Sequence, residues 1–332
     1  FSRNAGEPGM FDRRNLLWGA GALVAFPTAL RAQSKIRVGV LYPGLTSMTG
    51  IRVNAVMEGL REAGFENIER IEILARASEG DPARLAPLAA DLVNQKVDAI
   101  VPISPSAVRA AKGATTTIPV VANDMESDPV LSNFVQSLSH PGGNITGVFS
   151  DFPKFGAKWI ELLKEVVPRL SKVVIMADPA SGPVQREAVQ SAARGLSLQQ
   201  ELIEVRSVGQ LDAAFARARE IEPDAIIMLA SPIFGTDPKL IARLARESRL
   251  PIATIFSDVA RAGGLLSYGP GLIASIRQTG GMLSKVLKGV SPADIPIERP
   301  TTFELVINMD TARALNLDVP ASILARATEV ID

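Results

Sequence analysis

The chain repeats itself, and the repetition limits the folds open to it. Val97-Asp98-Ala99-Ile100-Val101 runs into Ser104-Pro105, and Pro223-Asp224-Ala225-Ile226-Ile227 runs into Ser231-Pro232. A second matched pair follows each: Ile118-Pro119-Val120-Val121 ending at Asn123-Asp124, and Leu250-Pro251-Ile252-Ala253 ending at Ser257-Asp258. Upstream, Ser34-Lys35-Ile36-Arg37-Val38 matches Ser171-Lys172-Val173-Val174-Ile175. Three strand-like landmarks recurring in one order imply two lobes of one architecture. Two such lobes facing each other enclose a cleft, and the short polar segments after the strands would line it.

Short β-branched runs predict strands at 36–42, 68–74, 99–103, 120–122, 173–177, 201–205, 225–229, 252–255 and 264–267. Between them, helical periodicity predicts helices at 55–63, 82–94, 153–167, 183–195, 211–221, 238–248 and 272–287. This alternation implies βαβ units with right-handed crossovers, hence an α/β fold of two doubly wound parallel-sheet lobes. Asp81-Pro82, Ser104-Pro105 and Asp237-Pro238 punctuate helix starts. The glycines of Pro141-Gly142-Gly143-Asn144-Ile145-Thr146-Gly147 fit a crossing between lobes. The helix at 272–287 belongs with the first lobe again and 303–309 with the second, so several crossings form a hinge. The expected division is a leader at 1–32, lobe one at 33–147 plus about 268–297, and lobe two at 148–267 plus about 298–332.

Of 332 residues, 47% are hydrophobic, enough for two packed domains of ordinary size. Arg13-Arg14 followed by Leu16-Leu17 and an apolar stretch to Leu30 resembles a twin-arginine export signal, with Met10 as initiator and cleavage just after Ala32. An apolar stretch this short, holding Gly19, Gly21 and Pro27, fits a cleaved signal better than a membrane anchor. Beyond it, 31 basic and 33 acidic residues remain without a basic block, which argues against nucleic acid or anionic membrane as a partner. The absence of cysteine excludes disulfides, thiolate metal sites, cysteine nucleophiles and a lipidated N-terminal cysteine. A free periplasmic protein, monomeric and without metal or cofactor, is expected.

No phosphate-loop or Gly-x-Ser-x-Gly motif is present, and no serine has a histidine that the repeat would bring near, since His140 is the single histidine and reads as a turn residue. A nucleophilic hydrolase is therefore disfavoured. Ser104 and Ser106 open a helix at a strand end, where hydroxyls and unbonded amides converge on a carboxylate, although plain capping would place serine there too. Carboxylates at Asp124 and Asp258, with Asn123, could hold a ligand ammonium or cap loops. Tyr42 and Tyr268 are placed at strand ends, where an aromatic with a polar tip covers a ligand face or packs in a core. Trp159 and Phe155 share an amphipathic helix and read as packing.

Several segments resemble one family. They are Ile118-Pro119-Val120-Val121-Ala122-Asn123-Asp124, Pro141-Gly142-Gly143-Asn144-Ile145-Thr146-Gly147 and Leu250-Pro251 with Ala262-Gly263-Gly264-Leu265-Leu266-Ser267-Tyr268-Gly269-Pro270. Pro292-Ala293-Asp294-Ile295-Pro296-Ile297-Glu298 and Phe303-Glu304-Leu305-Val306-Ile307-Asn308-Met309 follow. Together they are similar to the substrate-binding proteins of ABC transporters, in the branch with tryptophan- and phenylalanine-binding members. The resemblance implies a type I periplasmic binding fold whose lobes close on a solute and dock on a membrane permease. It implies pocket positions at Ser47, Ser104, Ser106, Asn123 and Asp124 in lobe one, and at Asp178, Ser181, Ser231 and Asp258 in lobe two. The expected ligand is a small carboxylate-bearing molecule such as an amino acid. Alternative readings are a ligand-binding sensor component and a doubly wound enzyme using Asp124 or Asp258 as a base.

Overall fold

The structure, a computed structural model, describes residues 35–123, 129–151 and 153–332. The expected signal at 1–32 and the site candidate Asp124 lie outside the described residues.

Strands β1 (Ile36–Tyr42), β2 (Ile71–Ala77), β3 (Ala99–Pro102), β4 (Val120–Asn123) and β5 (Ile145–Val148) form a parallel sheet in the order β2-β1-β3-β4-β5. Helices α1 (Thr49–Glu62), α2 (Leu85–Asn94) and α3 (Pro105–Ala114) connect them. The second sheet holds β6 (Lys172–Ala177), β7 (Gln199–Glu204), β8 (Ala225–Met228), β9 (Ile252–Thr254), β10 (Leu266–Pro270), β11 (Phe303–Asn308) and β12 (Glu329–Ile331). Its order is β12-β11-β10-β9-β8-β6-β7, so β7-β6-β8-β9-β10, its first five strands in the chain, reproduce the order of the first sheet. Among the described strands, only β10 and β11 pair antiparallel. Around it lie α4 (Pro153–Val166), α5 (Val184–Gly195), α6 (Leu211–Ile221), α7 (Pro238–Glu247), α8 (Ser257–Arg261), α10 (Met309–Ala314) and α11 (Ala321–Leu324), while α9 (Leu272–Leu287) follows β10. The central strands are buried throughout, as expected with apolar clusters on both faces of each sheet.

The repeated Asp-Ala-Ile motif has a structural cause. Asp98 and Asp224 each precede a central strand and reach back to the start of the neighbouring one. The Asp98 carboxylate accepts from Arg37 N at 2.7 Å, while Asp98 N donates to Arg37 O at 2.8 Å. Asp224 accepts from Ser171 N (2.7 Å), Lys172 N (2.8 Å) and Ser171 Oγ (2.9 Å), and its own amide donates to Lys172 O at 2.8 Å. Each motif thus aligns a central strand with the strand that begins its lobe.

Two strands begin later than their apolar runs suggest. Residues 68–70 form a tight turn, Arg70 N donating to Asn67 O, and β2 starts at Ile71, opposite Ile36. Gly264 belongs to a turn in which its amide bonds Val259 O, so β10 spans Leu266–Pro270 rather than 264–267. Strand β5 was hidden in the glycine-rich crossing segment. There Gly147 is obligatory: its φ is 144°, and a Cβ would stand 2.0 Å from Ala122 O.

Helix α9 leaves the second sheet and lies against α1 of the first lobe. The two backbones meet at glycines: a Cβ on Gly59 would stand 1.9 Å from Arg277 O, and one on Gly280 would stand 2.2 Å from Val56 O. Asn123, at the end of β4, donates to Ser275 Oγ and Thr279 Oγ1 of α9, both at 3.0 Å. Besides the β10–α9 junction, the chain passes between the sheets after β5 and again at 298–303. There Glu298 continues the first sheet beside Val148, Phe149 N bonding Glu298 O at 2.9 Å, before β11 begins.

Gly59→Ala should destabilise the protein. Alanine gains up to about 1 kcal/mol in helix propensity, but backbone cannot yield to its methyl, and overpacking costs about 1–3 kcal/mol. A lower urea midpoint is the expected result. A second prediction concerns Asp224. Burial alone would raise its pKa, but the donors from Ser171 and Lys172 together hold it below the usual carboxylate value. A depressed carboxylate stabilises the fold above its unfolded pKa, and the contribution is lost as pH falls through the folded value. Asp224→Asn should therefore lower the urea midpoint at pH 7, with the gap to wild type closing as pH drops below the carboxylate range.

Candidate functional site

In doubly wound sheets, ligands bind beyond the carboxyl ends of the strands where the strand order reverses. These points lie between β1 and β3 in the first sheet and between β6 and β8 in the second. Both open onto one cavity of about 390 Å³, within the range of roughly 300–1,000 Å³ of small-molecule sites.

From the first lobe come Tyr42 and Pro43 after β1, Met48, Ile51 and Arg52 around the start of α1, Ser104, Pro105 and Ser106 after β3, and Asn123 at the end of β4. Ser104 has φ 98° and ψ 156°, a conformation nearly restricted to glycine that marks stored backbone strain. Its side chain makes no capping bond; its hydroxyl lies 3.1 Å from that of Ser106. Capping therefore does not explain Ser104. The first bond inside α3 runs from Val108 N to Ser104 O at 3.0 Å, so the Ser106 and Ala107 amides have no helical carbonyl to bond. Burial pushes the Tyr42 phenol above its ordinary pKa, partly opposed by Arg52, whose guanidinium lies over the ring at 4.0 Å from its centroid.

The second lobe contributes Asp178, Ser181 and Gln185 after β6, Ser231 and Ile233 after β8, Ile255, Phe256 and Asp258 after β9, with Arg261 and Glu304 beside them. Asp178 is buried; its carboxylate accepts from Ala180 N at 2.9 Å and from Ser231 Oγ at 2.7 Å. Ser231 Oγ also accepts from Ile233 N at 3.2 Å, and Gln185 Oε1 accepts from Ala230 N at 2.6 Å. This wall is cross-linked before any ligand arrives. Asp258 is exposed and pairs with Arg261 at 3.1 Å, and Arg261 is held further by Glu329 at 2.7 Å. Across the lobes, Arg109 Nη2 donates to Ala180 O at 3.2 Å.

Of the residues expected at the site, Tyr42, Ser104, Ser106, Asn123, Asp178, Ser181, Ser231 and Asp258 line the cavity. Ser47 is exposed in the turn before α1 and is not among the lining residues. Tyr268 sits in the middle of β10 rather than at a strand end. Its ring packs edge-on against Phe155 at 6.0 Å and its carbonyl accepts from Trp159 Nε1 at 2.7 Å, so its role is packing. Sequence reasoning missed Arg52, Gln185, Arg261, Ser275, Ile276 and Glu304. Arg52 lies within α1, past the segment that follows β1, and α9 presents Ser275 and Ile276 from its first turns.

Two α/β lobes of matched strand order, with one ligand-sized cavity between their switch points, define a two-lobed solute-binding protein. Residues 41–331 match the family described as ABC transporter substrate binding protein, and the chain belongs to it. It is 26% identical over 274 residues to a tyrosine-binding protein of Clostridioides difficile strain R20291, spanning 79% of this chain and 75% of that one. An ABC domain from Streptococcus pneumonia solved in complex with L-Trp is 27% identical, with a TM-score of 0.81 over 90% of this chain and 100% of that one. A conserved domain protein of Vibrio cholerae shares the fold with a TM-score of 0.80 at 23% identity, over 90% and 100% of the two chains. Among the described residues, no helix is long and apolar enough to cross a membrane.

Ser104→Gly should stabilise the protein while removing a cavity hydroxyl. Releasing strain of about 1 kcal/mol or more should raise the melting temperature by a few degrees. An unchanged or lower melting temperature would show that the surroundings do not strain this residue.

Proposed function

We propose that the protein binds a small carboxylate-bearing solute, an amino acid, in the interlobe cleft and delivers it to the permease of an ABC importer from the periplasm, as a monomer exported by the signal at 1–32. The observation that carries this reading is the cavity between the two switch points, faced by Ser104 and Ser106 with the first-turn amides of α3 on one side and by the buried Asp178 carboxylate on the other. A zwitterion needs donors for its carboxylate and acceptors for its ammonium, and the two walls supply one of each. The tyrosine-binding relative and the L-Trp complex support an amino acid as the solute. A non-catalytic role is favoured because Ser231 donates directly to Asp178, and His140 lies in an exposed turn hydrogen-bonded to Ser137 and Ser139.

A thermal-shift screen over the twenty amino acids and simple aromatic carboxylates tests this. Ligand at about 100-fold its Kd stabilises the folded state by about 2.7 kcal/mol, so a binder raises the melting temperature by several degrees. At saturation, small-angle scattering should show a smaller radius of gyration than that of the ligand-free protein, as closure about the crossings requires, and identical profiles would mean a rigid pocket. If no compound shifts the melting temperature and a substrate is turned over instead, the reading fails.

A further inference from the structure

We infer that Arg52 is the residue that selects the anionic end of the solute; the inference rests on the amino-acid reading above and assigns it a charge-bearing contact in lobe one. Arg52 lines the cavity one turn into α1, its guanidinium lying over the Tyr42 ring at 4.0 Å, with Nη1 donating to Met48 O at 2.7 Å. Those contacts fix the side chain without neutralising it: among the described residues no carboxylate pairs with Arg52. The other lining arginine, Arg261, contrasts with it, since Asp258 at 3.1 Å and Glu329 at 2.7 Å already compensate its charge.

Position strengthens the case. Tyr42 ends β1 and Ser104 follows β3, and Ile103 N bonds Leu41 O at 2.9 Å, so the strand end that carries Tyr42 and the one that leads to Ser104 are neighbours, and Arg52, Tyr42, Ser104 and Ser106 line one cavity. Closing the lobes removes water from this guanidinium, and an uncompensated charge in a drying cleft is costly. A carboxylate supplied by the solute removes that cost and accepts two parallel bonds from the planar fork, a geometry that an ammonium cannot reproduce. The described carboxylates lining the cavity, Asp178, Asp258 and Glu304, all belong to the second lobe. The solute therefore lies with its carboxylate toward lobe one and its cationic end toward lobe two.

The test is isothermal titration of wild type, Arg52→Ala and Arg52→Lys with L-tyrosine, L-tryptophan, and the carboxamide of each. Circular dichroism and the melting temperature establish that each variant is folded, and Arg52→Gln serves if the alanine variant is not. Wild type should prefer each acid to its carboxamide. Arg52→Ala should weaken acid binding about tenfold or more while changing carboxamide binding little, so that the preference collapses. Arg52→Lys should recover only part of it. An acid-to-carboxamide ratio in Arg52→Ala equal to that of wild type overturns the inference and leaves the functional reading standing. Failure of wild type to bind either acid or any of the twenty amino acids overturns the functional reading and the inference with it.

Discussion

The contact between α1 and α9 is the constraint on which the architecture depends. The two backbones approach so closely at Gly59 and Gly280 that neither position has room for a methyl group. The contact obliges the chain to leave the second sheet after β10, complete the first lobe's core with Ile276, Leu283 and Val286, and return at 298–303 to build β11 and β12. The bonds from Asn123 to Ser275 and Thr279 lock the same helix to the end of β4, beside the cavity. The hinge thus has three strands because a helix of one lobe is encoded inside the other. Three tethers oppose sliding and twisting and leave bending as the soft motion.

The two walls of the cavity divide their work unequally. In the second lobe, Asp178, Ser231 and Gln185 already bond one another or nearby amides, so that wall is preorganised and its carboxylate is fixed. The first lobe keeps its resources unspent: a strained Ser104, first-turn amides of α3, and an arginine whose charge has no partner among the described residues. Strain at Ser104 persists because Ser104 N is held to Asn123 O at 2.9 Å and Ser104 O accepts the first bond of α3. A binding surface that holds orphan donors in place before the solute arrives loses little ordering entropy on closure.

The sequence made much of this legible where one residue type has one physical use. The doubled Asp-Ala-Ile segment and the matched Ile118-Pro119 and Leu250-Pro251 segments announced two lobes, and both sheets are built largely of parallel strands as expected, because buried parallel strands read as short apolar runs. The cause of the repeat was not legible. Asp98 and Asp224 act by accepting from the start of a distant neighbouring strand, a partnership with no local signature. Strand β2 was placed three residues early because apolar periodicity does not register a tight turn at 68–70. At the cleft, residues directly after strands were found, since strand ends point there. Arg52, Ser275 and Glu304 were not, because they reach the cavity from a helix's second turn, from a helix crossing back, and from a strand of the returning segment. Tyr268 shows the reverse: a polar-tipped aromatic near a crossing looked like a ligand cover, and its half-buried ring packs against the second lobe's core beside Phe155.

The placement of α9 also dictates the order in which the molecule can mature on the ribosome. All five strands of the first sheet are synthesised by Val148, yet the apolar face built by Val38, Val40, Ala99, Val101 and Val121 is covered only by α1, through Ala55, Val56 and Leu60, until α9 has emerged at Leu287. The N-terminal lobe, first to be started, thus cannot complete its core until α9 has followed most of the second sheet, while the second lobe waits longer still, for Leu305, Ile307 and Ile323. Throughout the intervening synthesis the nascent chain carries a half-covered sheet face, the kind of transiently exposed apolar surface that favours aggregation. A polypeptide bound for an unfolded translocation channel gains from that delay, whereas one that crosses already folded has to wait for nearly the whole message to be translated.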